Sequence, residues 1–432
     1  MIDNIYLLNH VIEKNIAKPG GELFVFFADF RAAFDSINRS LLWKIMEKHG
    51  ISKNLIERIK ENEETANQVK IGEKFSNVFY TAKGLRQGCP LCALLFDIYI
   101  ADIEEVFRRG QTGGVTVGKK KFWTLSYADD LAIICTREIE MQELLNRLEK
   151  YTEKRELELN VEKSKILMFK KGRAKKRKTV WKWKGEIIEE VQEFKYLGFQ
   201  FQRNNETDKH ITQIVKKGIC AMKQTWSIGK KLFEFDFKKK VMLFNYLVKS
   251  ILTYASEVWG WSEYAKVEAV QTKDLKWILG LEWCVPSYIV LEESKADRIK
   301  IETGARAANY ERKIRKSNNA LLQACLEEKE KITEPRAKFC TRRKQYFERN
   351  GFSSAEAGRQ MLEDKKFIQK LKEADKEVQK QVQYNQIQTS RYNSRYKHLI
   401  TPSLPFYLKK NNEKMMTIAR RRCEGVKYWM EA

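Results

Sequence analysis

An α+β fold is what this 432-residue sequence predicts: a small antiparallel sheet with packed helices, then a helical region, then a basic, mostly helical C-terminal arm. Three observations carry that reading. Apolar runs of strand length end in acids, at 23–29 and around Asp129-Asp130. Beyond about Asn205 the apolar spacing changes from strand-like runs to helical stripes. From 311 to 432 there are 29 basic and 15 acidic residues, so +14 of the total net charge of +25 lies in 122 positions.

The elements follow in order. Asp3 can cap a helix with Ile5, Leu8 and Ile12 on one stripe, which Pro19-Gly20-Gly21 breaks. LFVFFAD at 23–29 reads as a strand buried on both faces with a carboxylate at its tip. Leu41, Leu42, Ile45 and Met46 form a helical stripe closed by Gly50. Strand-like alternation over 69–80 precedes an apolar helix from about 90 to 108. A hairpin is expected next, with strands at 122–127 and 131–135 joined through Ala128-Asp129-Asp130. A helix near 141–155, a strand at 166–169 and a ribbon at 180–183 and 194–201 complete the first region. Helices at 211–232, 238–252 and 267–279 make up the second. The expected domains are 1–204, 205–310 and 311–432.

Composition narrows the function. With 43% hydrophobic and 32% charged residues, the chain is too apolar for disorder and too polar for a membrane protein. No apolar run approaches the ~18 residues of a membrane span, and no signal peptide is expected from Met1-Ile2-Asp3-Asn4. Lys plus Arg is 82 against 57 Asp plus Glu, an excess that suits a polyanionic partner. Of eight cysteines only Cys89 and Cys92 stand close together, and none of the four histidines is spaced to complete a zinc site with them. They are expected as buried thiols of a chain in a reducing compartment. Trp181 and Trp183 alternate as on a strand face and are expected in the core rather than stacked on bases. The basic run 170–178 can grip a phosphate backbone, serve as a nuclear address or be a solvated hairpin tip.

The acids carry the chemistry. An ionised Asp at the lip of a buried sheet is costly unless something positive neutralises it. Strands placing Asp29 beside Asp129 would create a seat for hard divalent cations, and two metals there can drive in-line phosphoryl transfer. An Asp-Asp pair alone is more often a turn or an ion pair. Here five runs occur in order: FADFRAAFDS at 27–36, GLRQGCPL at 84–91, YADD at 127–130, LNVEKSK at 159–165 and FKYLG at 194–198. Together they resemble the polymerase palm of reverse transcriptases from non-LTR (LINE-type) retrotransposons over about residues 1–310, with Tyr254, Glu257 and Trp259 similar to the helical thumb.

The resemblance implies an RNA-directed DNA polymerase that uses two Mg²⁺ ions, or Mn²⁺, an RNA template, a DNA primer and dNTPs, and needs no membrane. Asp29 and Asp129 would be metal ligands with Asp130 assisting. Phe30, Phe34, Gln87 and Lys163 would attend the nucleotide, with Phe34 as the gate against a ribose 2′-hydroxyl and Lys163 as proton donor to the pyrophosphate. Tyr196, Leu197 and Gly198 would lie under the primer end. Asp35 reads as structural. Cys92-Ala93 stands where the family has Ser-Pro. Residues 418–429 resemble the approach to a zinc knuckle. With 28 residues before Asp29, the expectation is an interior fragment of a longer polyprotein without most of the fingers, the endonuclease and the knuckle. An intracellular chain is expected, nuclear during integration with the cytoplasm as alternative. The competing function is a catalytically dead, nucleic-acid-binding remnant. Oligomeric state has no signal in the sequence.

Overall fold

The run ELFVFFA forms the strand Glu22–Ala28, with six of its seven residues buried. Residues 23–28 can all be apolar because the strand lies inside a six-stranded sheet. The computed structural model describes all residues except 87, 173–178, 332–337, 411–412 and 425–432, together with the side chains of 338–340 and 355. Across the sheet the order is Thr124–Tyr127, Asp130–Cys135, Glu22–Ala28, Lys165–Lys170, Glu186–Val191 and Trp181–Trp183. Pairing is antiparallel except between Lys165–Lys170 and Glu186–Val191.

Helices cover this sheet. Ile2–Ile16 packs on Glu22–Ala28 through a stripe in which Ile5, Leu8 and Ile12 are fully buried. Glu138–Arg155 packs against Asp130–Cys135, and Met141, Leu144 and Leu148 join Phe24, Phe26 and Ile133 in one apolar cluster. Trp181 and Trp183 belong to the same cluster, so the core reading of these tryptophans holds. The expected long helix over 90–108 is two helices, Cys92–Tyr99 and Ile103–Gly110. The break is tertiary in origin: Asp102 accepts hydrogen bonds from Tyr151 Oη at 2.7 Å and Arg155 Nη2 at 2.6 Å. The expected strand 122–127 is also divided. Lys120–Phe122 pairs with Val115–Val117, while Thr124–Tyr127 joins the main sheet. Glu104 makes the division, accepting from the backbone N–H groups of Trp123 and Thr124.

The chain forms two compact units, Met1–Glu206 and Thr207–Ala432. The second is built of helices, led by Asp208–Leu232, Ala265–Leu279, Ile299–Lys316 and Phe367–Gln388. The expected boundary at 310 falls inside Ile299–Lys316. Residues of 311–432 share apolar clusters with earlier helices: Tyr346, Phe347 and Leu371 pack with Trp261 and Ala307, and Tyr396, Tyr407 and Ala419 pack with Leu279 and Ile289. Some of its buried charges are paired. Arg343 makes a forked contact with Glu311 at 2.8–3.0 Å, and Glu293 accepts from Tyr396, Tyr407 and Arg422. The arm is thus part of the second unit rather than an appendage. Among the described residues no helix is long and apolar enough to cross a membrane.

Candidate active site

Ala28 pairs with Leu131, so the chain leaving the first strand reaches Asp29 level with Asp130. Tyr127 pairs with Asp130, which leaves Ala128-Asp129 as a two-residue turn. Two segments a hundred residues apart in sequence therefore meet at one end of the sheet. Asp29 and Asp129 are half-buried. Asp130 is exposed as a residue, yet its carboxyl is held above the usual carboxylate range, first by desolvation, then by repulsion from Asp129 and Asp29. Mutual repulsion among three carboxylates is what a divalent cation relieves, and oxygen donors of this kind suit a hard ion. Their oxygens do not close into a trio within 4.8 Å: among the described residues only Glu63, Cys89 and Cys92 do so.

The turn is strained. Ala128 has φ +51°, a left-handed conformation that costs a residue with a Cβ about 1–2 kcal/mol. Asp97, on the helix Cys92–Tyr99, accepts a hydrogen bond from the Ala128 backbone N–H, and burial raises its pKa. Nothing in the sequence pattern singles out Asp97, because only the fold brings that helix to the turn.

Asp29 is fixed through its backbone. Its N–H donates to Ser164 Oγ at 3.0 Å, and its carbonyl accepts from Asn160 N at 2.8 Å. Phe30 bridges to Leu159, and Arg31 N–H donates to the Glu158 carbonyl. The run at 159–165 is therefore a brace along the first acidic strand. Ser164 is fully buried in that role, while Lys163 points its exposed side chain away from the core. Asn160 Oδ1 accepts from Lys163 N–H and fixes the local turn.

The aromatics differ in what they can reach. Phe30 is only 4% exposed and sits in the main apolar cluster, so its side chain is unavailable to a nucleotide. Phe34 is half-buried, its ring 5.4 Å from Phe96, and retains an open side. Beside it runs the loop that contains Gln87, a residue outside the described ones. Leu85 N–H donates to the Phe34 carbonyl and Gly84 N–H to that of Ile37. Gly84 is required here: a Cβ would come within 2.9 Å of the Asp35 carbonyl oxygen, and φ is +87°. Arg39, buried and missed by sequence reasoning, ties the same loop down by donating to the carbonyls of Gly84 and Thr81.

Tyr196 is 2% exposed; its ring lies 5.3 Å from Phe27 and its hydroxyl donates to the Leu125 carbonyl. Burial pushes its pKa upward. The side chains of Tyr196 and Leu197 are thus structural, and what the hairpin Glu193–Tyr196/Phe199–Gln202 offers outward is its backbone turn. Leu197 and Gly198 both have positive φ, +47° and +79°, as a two-residue turn of this type demands. The basic run is described only up to Gly172, and Tyr428-Trp429 lies outside the described residues.

Comparison with known proteins supports the same region. Residues 3–201 match the family model of reverse transcriptase (RNA-dependent DNA polymerase). The chain is similar to the Pol polyprotein of the type-1 retrotransposable element R2 of Popillia japonica, 28% identical over 46% of this chain and 34% of that protein. It is also similar to a probable RNA-directed DNA polymerase from the X-element of Drosophila melanogaster, 23% identical over 69% of this chain and 33% of that one. The aligned parts thus span about a third of these relatives. Apo telomerase from Candida tropicalis aligns with 78% of this chain and 55% of its own, at 13% identity and a TM-score of 0.38.

Proposed function

We propose that this chain, whose residues 3–201 match the reverse transcriptase family model, extends a DNA primer by copying an RNA template. The observation that carries the proposal is the meeting of Asp29, Asp129 and Asp130 at one sheet end. These three would hold two Mg²⁺ ions, with Mn²⁺ as the alternative. Bound there, such ions activate a primer 3′-hydroxyl and stabilise the departing pyrophosphate.

The chain's own residues supply position and selection. Ser164 and Asn160 hold the Asp29 backbone, so its carboxylate has a fixed origin. Phe34, partly exposed beside the loop braced by Arg39, would exclude a 2′-hydroxyl by bulk. Lys163, exposed at the end of the brace, can give a proton to the pyrophosphate. The turn at Leu197-Gly198 gives the primer end a backbone support. RNA template, DNA primer and dNTPs are the partners, and the nucleus during integration is the site of action.

The test is extension of oligo(dT) on poly(rA) by dTTP with Mg²⁺, using the intact chain. Extension supports the polymerase. Primer–template binding without extension replaces it with the dead remnant.

A further inference from the structure

Glu63 closes the helix Lys53–Glu63, and Cys92 opens the helix Cys92–Tyr99, with Cys89 three residues before it. The two sulfurs and a Glu63 carboxylate oxygen all lie within 4.8 Å of one another. This convergence is not a feature of the sequence, where Glu63 stands 26 positions from Cys89. The turn between the ligands is tight: Cys89 N–H donates to the Arg86 carbonyl at 3.1 Å, and Cys92 N–H to the Cys89 carbonyl at 3.1 Å.

A second observation is independent of the clustering. Glu63 is 1% exposed, and its two oxygens fare differently. Oε2 accepts from Arg86 N–H at 3.0 Å, whereas Oε1 is buried with no hydrogen-bond partner. A buried carboxylate oxygen without a donor is expensive, and the other groups of this cluster are thiols, which are weak donors, that of Cys92 donating to the Arg86 carbonyl. A cation bound by all three groups removes that cost.

We propose that Glu63, Cys89 and Cys92 form a Zn²⁺ site. The C-x₂-C spacing at a turn entering a helix is a usual half of a zinc site, and a carboxylate is an accepted third ligand. Two thiolates select a soft or borderline ion, so this site discriminates against the Mg²⁺ that suits the all-oxygen Asp29–Asp129–Asp130 group. Cys89 is half-exposed, which leaves room for a water as fourth ligand and an entry path for the ion. Structurally, the ion would bind the end of the helix Lys53–Glu63 to the loop that carries Arg86. The site stands independently of the polymerase reading, because none of its ligands belongs to the acidic cluster.

The experiment uses the full chain, purified with a chelator and titrated with Co²⁺. One equivalent should produce a thiolate-to-cobalt charge-transfer band, which Zn²⁺ then bleaches. Cys89→Ser and Cys92→Ser should each abolish the band, Glu63→Gln should weaken binding at least about tenfold, and Cys220→Ser should leave it intact. No band, or a band that survives both serine variants, overturns the site. A measurement on the unmutated chain guards against variants that fail to fold. Zn²⁺ should protect Cys89 and Cys92 from alkylation, read by peptide mass spectrometry, while the exposed Cys220 and Cys284 react as before. Equal labelling of Cys89 and Cys92 with and without Zn²⁺ also overturns it.

Discussion

At the scale of single residues, exposure divides Phe30, Phe34 and Tyr196. Phe30 and Tyr196 are committed to the core, whereas Phe34 keeps one side free next to the loop after Gly84. Phe34→Ala should therefore lower discrimination between dTTP and UTP at least about tenfold, since a methyl no longer fills the space a 2′-hydroxyl would need. It should also lower stability, by about 1–3 kcal/mol for a half-buried ring that packs on Phe96. Single-nucleotide incorporation kinetics with the two substrates check the first effect; discrimination equal to the parent's would make Phe34 a packing residue only. That Asp29, Asp129 and Asp130 come together at one end of the sheet was legible in the sequence, because an acid after an apolar strand is anomalous. Asp97, Arg39 and Glu63 were not, because an acid or an arginine on a helix looks like ordinary surface until tertiary structure buries it or gives it a partner.

At the scale of elements, periodicity located the strands well where a run is apolar, as at 23–28 within Glu22–Ala28, or alternating, as in Trp181–Trp183. It failed where an element ends for tertiary reasons. The break at Asp102 depends on Tyr151 and Arg155, about fifty residues away, and no helix-stop signal precedes it. The second unit carries a pH dependence of its own, from two buried groups with opposite signs. His210, in the first turn of Asp208–Leu232, is pushed down from 6.5 to about 4 by burial. The unfolded chain takes up that proton first, so the stabilisation is complete above pH 6.5 and lost as pH falls towards 4. Asp274 is pushed up from 3.8 to about 7 by burial, so the folded state keeps its proton longer and loses stability as pH rises through that window. Hydrogen exchange of peptides within 208–232, corrected for intrinsic rates, should show weaker protection at pH 4.5 than at 6.5. His210→Gln should flatten that change, and an unaltered profile would remove His210 as its cause.

At the scale of the whole molecule, the apolar spacing changes from strand-like to helical at about Asn205, and the two compact units divide between Glu206 and Thr207. It did not reveal that 311–432 packs into the second unit, because partners such as Glu311 and Arg343, or Glu293 and Arg422, are charged and far apart in the chain. A high positive charge with few aliphatic stripes looked like an arm, whereas buried ion pairs and aromatic contacts hold these helices. The net charge of +25 remains to be used, and a nucleic-acid backbone is its natural counterpart. Affinity for an RNA–DNA primer–template should fall steeply with salt, each neutralised phosphate adding roughly −0.7 to −0.9 to the log–log slope. Charge-reversing the exposed Lys409 and Lys410 should make the slope shallower if this part of the second unit meets the phosphates, and leave it unchanged if those charges only face solvent. The central claim is that the acids gathered at the sheet end are the catalytic centre of RNA-templated DNA synthesis. It is tested most directly by the rate of dTTP addition to oligo(dT) on poly(rA) by Asp129→Asn against the parent chain at equal Mg²⁺. A loss of at least about a hundredfold is expected, on the scale of removing one transition-state-stabilising group, with primer–template binding and thermal unfolding retained. Addition at the parent's rate by a folded Asp129→Asn chain would contradict it.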